Sequence, residues 1–234
     1  SLDVASPFQV ARLHTTFPSA PPRLSHMMVG VRRGEALRRT HHHSSLAQVR
    51  MAFQLPRVGS KIDPLRLAVL ISGSGSGMAA LLRYQNKGVC HITSIVISNV
   101  EGVEGLSKAQ AAGVEAVALP HIDYEQRIDH EKELHKLLQK SNIEAIILSG
   151  YMRLLTPWFV EKWEGRLINI HPSLLPLFPG AHPHRDALAA GATISGCTVH
   201  FVDTGVDSGE IIAQGDIPVL PGDDVKSLQE RVKM

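Results

Sequence analysis

Two polar residues, two positions apart, close the apolar run "RLINIHP": Asn169 and His171. Residues i and i+2 of a strand point to the same side, so both face one way while Ile168 and Ile170 face the other. Pro172 has no N–H to give to a ladder and ends the strand at once. An amide beside an imidazole suits acyl transfer. The amide N–H can stabilise an oxyanion, and the imidazole can move a proton near neutral pH. A carboxylate completes such a set, because it favours the charged imidazolium. The segment "HFVDTGVDSGEII" offers two, Asp203 and Asp207, in a Gly-bounded turn between two strands. No Ser or Cys stands in a nucleophile elbow, so the residues point to direct attack by a substrate amine and not to a covalent enzyme intermediate. The plainer alternative is that Asn169 and His171 only hydrogen-bond to loops at the end of a sheet.

A second candidate is the loop "SGSGSG", residues 72–77. Glycines let the backbone turn tightly, and a following helix N-terminus offers unpaired N–H groups to an anion. Such a loop is a phosphate cradle or a plain strand-to-helix turn. Its G-x-G-x-G spacing departs from the dinucleotide fingerprint G-x-G-x-x-G, and no Gly-Lys-Ser/Thr completes a P-loop. Glu101 follows the second strand about where a ribose-binding acid sits in a dinucleotide fold, which keeps a nicotinamide enzyme as an alternative.

The elements that must position these residues follow one rhythm. "LRLAVLI" is a short apolar run of buried parallel-strand type. "MAALLRYQNKG" reads as a helix ending at Gly88. There follow a strand "HITSIVISN", a helix through "GLSKAQAAG", a strand "EAVALP" and a charged helix "IDYEQRIDHEKELHKLLQKS". "EAIILSG" is another buried strand. Thr156 as N-cap and Pro157 at the first helical position open "TPWFVEKW", and "RLINI" is the next strand. This alternation predicts an α/β fold: an open, mostly parallel twisted sheet with flanking helices. The C-terminal part turns strand-rich, with "ISGCTVHFVD" and "GEIIAQGDIPVL". A helix capped by Asp223 or Asp224 is still running at Met234 without a C-cap, which reads as a chain truncated within that helix.

Composition bounds the rest. Residues 1–60 hold eight arginines and no lysine against two acids, whereas the remainder carries 20 acids against 16 basic residues. The mildly acidic remainder argues against a nucleic-acid partner. Residues 1–63, rich in Arg, Ser, Pro and His and without a sustained period, have the composition of a transit segment or a disordered leader, and residues 64–234 form one domain. His41, His42 and His43 are too local to mark a metal site. Cys90 and Cys197 lie far apart, without metal-ligand spacing, as buried thiols of a reducing compartment do. No window approaches the ~18 consecutive apolar residues of a membrane span.

The segments "AVLISGSGSG", "SGYMRLLTP", "LINIHPSLLPLFPGAHPHRDAL" and "GCTVHFVDTGVDSGEIIAQ", in this order and spacing, closely resemble the phosphoribosylglycinamide formyltransferases over residues 65–234. The resemblance implies a Rossmann-like formyl transferase fold and folate-dependent formylation in de novo purine synthesis. The formyl donor would be 10-formyltetrahydrofolate, the acceptor glycinamide ribonucleotide, and no metal is implied. Position by position, it makes Asn169, His171 and Asp207 the catalytic trio. Asn169 and protonated His171 would polarise the formyl oxygen, and Asp207 would hold and tune His171. Gly75, Ser76 and Gly77 would cradle the substrate phosphate. Arg127, Met152, Arg153, Leu154, Leu155 and Asn169 would contact the folate, with Asp203, Thr204, Gly205, Val206 and Asp207 lining the pterin pocket.

Three relatives of the same fold are set apart by particular residues. Methionyl-tRNA formyltransferases carry an Arg-Gly-Ala-Ala-Pro type segment where this chain has "FPGAHPHR", and they need a basic tRNA-binding domain. Formyltetrahydrofolate deformylases, the hydrolytic alternative, read His-His-Ser-Phe-Leu-Pro where this chain has "HPSLLP", and carry a regulatory βαβ domain that residues 1–63 are unable to form. Formyltetrahydrofolate dehydrogenases are far longer. Two departures from the family pattern stand out. Gly77 replaces the usual Asn of the phosphate loop, removing a side-chain contact, and the family's acidic ribose contact lies beyond Met234. A non-catalytic folate- or nucleotide-binding remnant is therefore a further alternative. The leader fits an organelle-targeted form, plastid before mitochondrion.

Overall fold

The computed structural model describes residues 57–85 and 88–233. Seven strands form one sheet: β1 (Leu65–Ile71), β2 (His91–Ser98), β3 (Glu115–Ala118), β4 (Ala145–Leu148), β5 (Leu167–His171), β6 (Ile194–Phe201) and β7 (Ile211–Pro218). Their spatial order is β3-β2-β1-β4-β5-β6-β7. The first five pair in parallel, and β6 and β7 add on antiparallel. The expected open, mostly parallel α/β sheet is what forms. Strand order reverses between β1 and β4, and in open α/β sheets ligands bind at such a switch point, beyond the carboxyl ends of the strands.

The period of two in β1 sorts its residues onto two faces. Ala68 and Leu70 join Ile95, Ile97, Ile146 and Leu148 beneath α3 (Arg127–Lys140) and α4 (Pro157–Lys162), where Leu134, Leu138, Phe159 and Trp163 are buried. Val69 and Ile71 face the other way, against Met78 and Leu82 of α1 (Ser76–Gln85) and Ala109 of α2 (Glu104–Ala111). Covering on both faces explains why β1 is apolar from Leu67 to Ile71 and does not alternate with polar residues there. β7 is an exposed edge, and α6 (Val225–Val232) buries Leu228.

Three local details differ from the expected pattern. α3 starts at Arg127, five residues beyond Ile122, because a 3-10 turn at His121–Asp123 and an extended Tyr124 precede it. His121 is held back by its own N–H and ring, both bonded at Asn99 O. Thr156 does stand at the N-cap of α4, but its hydroxyl makes no cap bond and donates to the buried Glu131 instead, which also accepts the Thr156 N–H at 2.9 Å. A seven-residue helix, α5 (Pro183–Ala189), lies in a stretch left unassigned above. Asp224 caps α6 in a reciprocal pair with Ser227, as the sequence suggests.

The expected leader falls almost entirely on residues 1–56, outside the described residues. Arg57 grips the domain: its guanidinium bonds both carboxylate oxygens of Glu144, at the start of β4, and also Asp63 at 2.8 Å. This fork geometry holds the Glu144 carboxyl below its usual range.

Candidate active site

β5 delivers Asn169 and His171 to the same side, as period two requires. Of the two carboxylates left open by spacing, Asp207 is the one that meets them. Its Oδ2 lies 3.3 Å from His171 Nδ1 and accepts the Gly180 N–H at 2.8 Å. Its Oδ1 accepts from Asn169 Nδ2 at 3.2 Å and lies 3.5 Å from His200 Nε2. Asp203 is spent on its own turn, where Oδ1 accepts the Gly205 N–H at 3.0 Å and the Ser208 hydroxyl at 2.8 Å. That turn swings Asp207 inward through a left-handed backbone, φ +50°, which a short polar residue tolerates.

Burial alone would push the Asp207 carboxyl up. Hydrogen bonds from His200 and the Gly180 N–H, with the imidazoles of His171 and His200 beside it, outweigh burial and hold it below its usual value. His200 moves the opposite way. Its burial favours the neutral ring, but Asp207 and the Phe201 carbonyl, 2.8 Å from Nδ1, raise it above the ordinary imidazole value. His171 is only 4 % exposed. Its Nε2 lies 2.9 Å from the carbonyl of Phe178, so both ring nitrogens face oxygen acceptors, and only an imidazolium donates to both at once.

The turn after β5 is fixed by side chains from elsewhere. The Ser173 hydroxyl donates to Leu177 O at 2.6 Å, and Thr198 of β6 donates to Ser173 O at 2.6 Å while accepting the Leu175 N–H at 3.0 Å. Gln214 of β7 donates to Leu175 O and to Thr198. The antiparallel strands thereby set where Phe178 O and Gly180 N–H stand around the His171–Asp207 pair.

A cavity of about 610 Å³ opens over this cluster. Arg127, Met152, Arg153, Leu154 and Leu155 line it, and so do Asn169, His171, Asp203, Thr204, Gly205, Val206 and Asp207. The structure thus gathers every expected catalytic and folate-contacting residue around one space. Gly75, Ser76 and Gly77 are not among its walls. Gly75 ends the loop, with φ +62°, and Ser76 and Gly77 open α1. This loop neighbours the cavity through Ser149 and Gly150, the residues that follow β4. Ser72 ties the two together: its N–H donates to Gly150 O at 3.1 Å and its hydroxyl accepts the Met152 N–H at 2.8 Å. Glu101 sits on an exposed turn.

Sequence reasoning missed His200 and His184. His200 is directly opposite Asn169 in the β5–β6 register, and its signal is a histidine inside the apolar alternation of β6. His184, on α5, lines the cavity, and burial pushes its ring down, toward the neutral form, with Lys233 and His171 adding to the shift. Burial also raises the Tyr151 phenol. Among the described residues, no group of three or more His, Cys, Asp or Glu side chains is arranged to hold a metal ion.

Residues 65–234 match the family model described as formyl transferase. The chain is 47 % identical over 192 residues to the trifunctional purine biosynthetic protein adenosine-3 of Drosophila pseudoobscura pseudoobscura, with 81 % of this chain and 14 % of that protein covered. It therefore spans about one seventh of the length of that much larger relative. It is 36 % identical over 170 residues to the phosphoribosylglycinamide formyltransferase of Escherichia coli, covering 72 % of this chain and 80 % of that protein. The crystal structure of glycinamide ribonucleotide transformylase 1 from Symbiobacterium toebii superposes with a TM-score of 0.71 at 41 % identity, over 73 % of this chain and 81 % of that one.

Proposed function

Because this chain belongs to the formyl transferase family, we propose that it transfers the formyl group of 10-formyltetrahydrofolate to the primary amine of glycinamide ribonucleotide. The observation that carries this furthest is the convergence of Asn169, His171, His200 and the Gly180 N–H on the one ionised carboxylate of Asp207, at the wall of a cavity large enough for a folate.

The amine attacks the formyl carbon, and negative charge gathers on the formyl oxygen. Donors already aimed at oxygen acceptors in a buried site stabilise that charge with little reorganisation. The Asn169 amide is one such donor. The His171 N–H now given to Phe178 O is the second. Asp207 anchors the imidazolium through the other ring nitrogen. One C–N bond forms and one breaks. The net proton transfer runs from the attacking amine to the departing folate nitrogen, and the His171–Asp207 pair offers its route. Met152 and Leu154, both exposed at the cavity, give the flat pterin an apolar surface, and Arg127 offers a guanidinium to a carboxylate. N–H groups of Gly75, Ser76 and Gly77 hold the ribonucleotide phosphate at the start of α1.

Folate product formation, followed by absorbance with and without glycinamide ribonucleotide, tests the assignment. Turnover only with the ribonucleotide supports transfer. Turnover without it makes the protein a deformylase, and folate binding without turnover under either condition makes it a non-catalytic relative.

The Arg-rich, acid-poor composition of residues 1–60 supports a second proposal, that residues 1–63 direct the protein to a plastid or mitochondrion, the plastid first. A reporter fused to residues 1–63 would enter the organelle; a diffuse cytosolic signal would count against the idea.

A further inference from the structure

We infer that the Ser149 hydroxyl is a substrate-binding group of the nucleotide half of the site, and that Gly77 is glycine in order to admit it. This inference rests on the transferase function proposed above. Ser149 follows β4 directly, and its N–H extends the sheet to Leu70 O at 2.9 Å. The residue is 9 % exposed, and its hydroxyl has no hydrogen-bond partner among the described residues. An unpartnered hydroxyl at the accessible tip of an otherwise buried residue is a group free to meet an acceptor that arrives from solvent.

Its direction is fixed by Gly77. A Cβ built on Gly77 would lie 2.5 Å from Ser149 Oγ, closer than carbon and oxygen can approach, and 3.9 Å from Ser149 Cβ, an ordinary contact. Nothing else approaches that position within 4 Å. The hydroxyl therefore occupies the space that a side chain at 77 would take, against the first turn of α1. That turn has backbone N–H groups without intrahelical partners. Gly77 lies in the ordinary negative-φ backbone, so conformational freedom does not require glycine there. Space does.

Ser149 also stands between the two halves of the site. Gly77 of the glycine segment approaches it on one side, and Gly150 and Met152 of the cavity wall follow it in sequence. A phosphorylated ribose held by the loop, with its amine reaching toward Asn169 and His171, passes this hydroxyl. Ser149 Oγ is placed to donate to a phosphate or ribose oxygen of that substrate. It takes no part in proton transfer.

Ser149→Ala tests this in the full chain. The expected result is a KM for glycinamide ribonucleotide roughly tenfold higher, as for loss of one hydrogen bond to a charged group, with kcat and the folate KM within about twofold. Moving the hydroxyl across the contact is the second arm. Gly77→Ser alone collides with Ser149 and weakens ribonucleotide binding, whereas Gly77→Ser with Ser149→Ala relieves the collision and recovers much of the affinity. A purely packing role for Ser149 would shift melting temperature and both KM values together, with no recovery in the double variant. An unchanged ribonucleotide KM in Ser149→Ala, beside a wild-type protein that turns over, overturns the inference alone. A wild-type protein that neither binds nor formylates the ribonucleotide overturns the transferase function and this inference with it.

Discussion

Asp207 Oδ2 stands 3.3 Å from His171 Nδ1, while the other nitrogen of the same ring is held by the carbonyl of Phe178 at 2.9 Å. The ring is clamped between a carboxylate and a carbonyl oxygen. Substituting Asp207→Asn keeps the shape and removes the charge. The expected outcome is a fall in kcat of about a hundredfold or more, typical of a displaced acid–base group, with folate affinity within about threefold. His171→Ala is expected to do the same. Steady-state kinetics beside a folate-analogue titration separates the two effects, and near-normal turnover in either variant would remove the trio from the mechanism.

The opposite shifts of His200 and Asp207 predict a stability window. His200 is raised in the fold, so its contribution is complete below its unfolded value of about 6.5 and disappears as pH climbs through the folded value. Asp207 is lowered, so its contribution is complete above its unfolded value of about 3.9 and is lost as pH falls through the folded one. The melting-temperature advantage of the wild type over His200→Gln should be largest between about pH 4 and 6.5 and shrink above it. A pH-independent difference would assign His200 to packing.

Ser72 connects the glycine loop to the cavity wall through Met152. Its hydroxyl also donates to Asn99 Oδ1, which ties in the end of β2. Ser72→Ala should raise the folate KM about fivefold, the equivalent of one hydrogen bond of about 1 kcal/mol. The same variant should leave the pH profile of kcat in place. A changed profile would show that Ser72 acts on the proton-transfer groups instead.

Glu131 is 1 % exposed and accepts two bonds from Thr156, the residue that opens α4. Glu131→Ala strands both donors and should cost about 2 kcal/mol of stability, read as a lower denaturation midpoint in urea with an unchanged slope. Glu131→Gln, which keeps one acceptor, should cost less.

Much of this architecture could be read from residue pattern. The two-residue period that put Asn169 and His171 on one side needs no tertiary information, and Pro172 marks where the strand stops. Choosing between Asp203 and Asp207 did need it. Both sit in the same turn between β6 and β7, and the choice depends on Asp203 capping its own loop while Asp207 enters a left-handed conformation. His200 was passed over because a polar residue inside an apolar alternation carries no label for what stands opposite it, and Asn169 stands opposite only in the folded register. α5 was missed because seven residues beginning at Pro183 supply too few turns for an apolar period to appear. The late start of α3 reflects bonds from His121 to Asn99, 22 residues earlier, which local propensity does not contain.

The order of the strands along the chain has a consequence for how the protein emerges from the ribosome. The parallel strands β1 to β5 are made first and carry the glycine loop, Asn169 and His171. The carboxylate and the Thr198 and Gln214 side chains that shape the turn beside it come later, from β6 to β7. A nascent chain that has exposed only β1 to β5 holds an amide and an imidazole with nothing to align them, so chemistry cannot begin before the last pair of strands has docked.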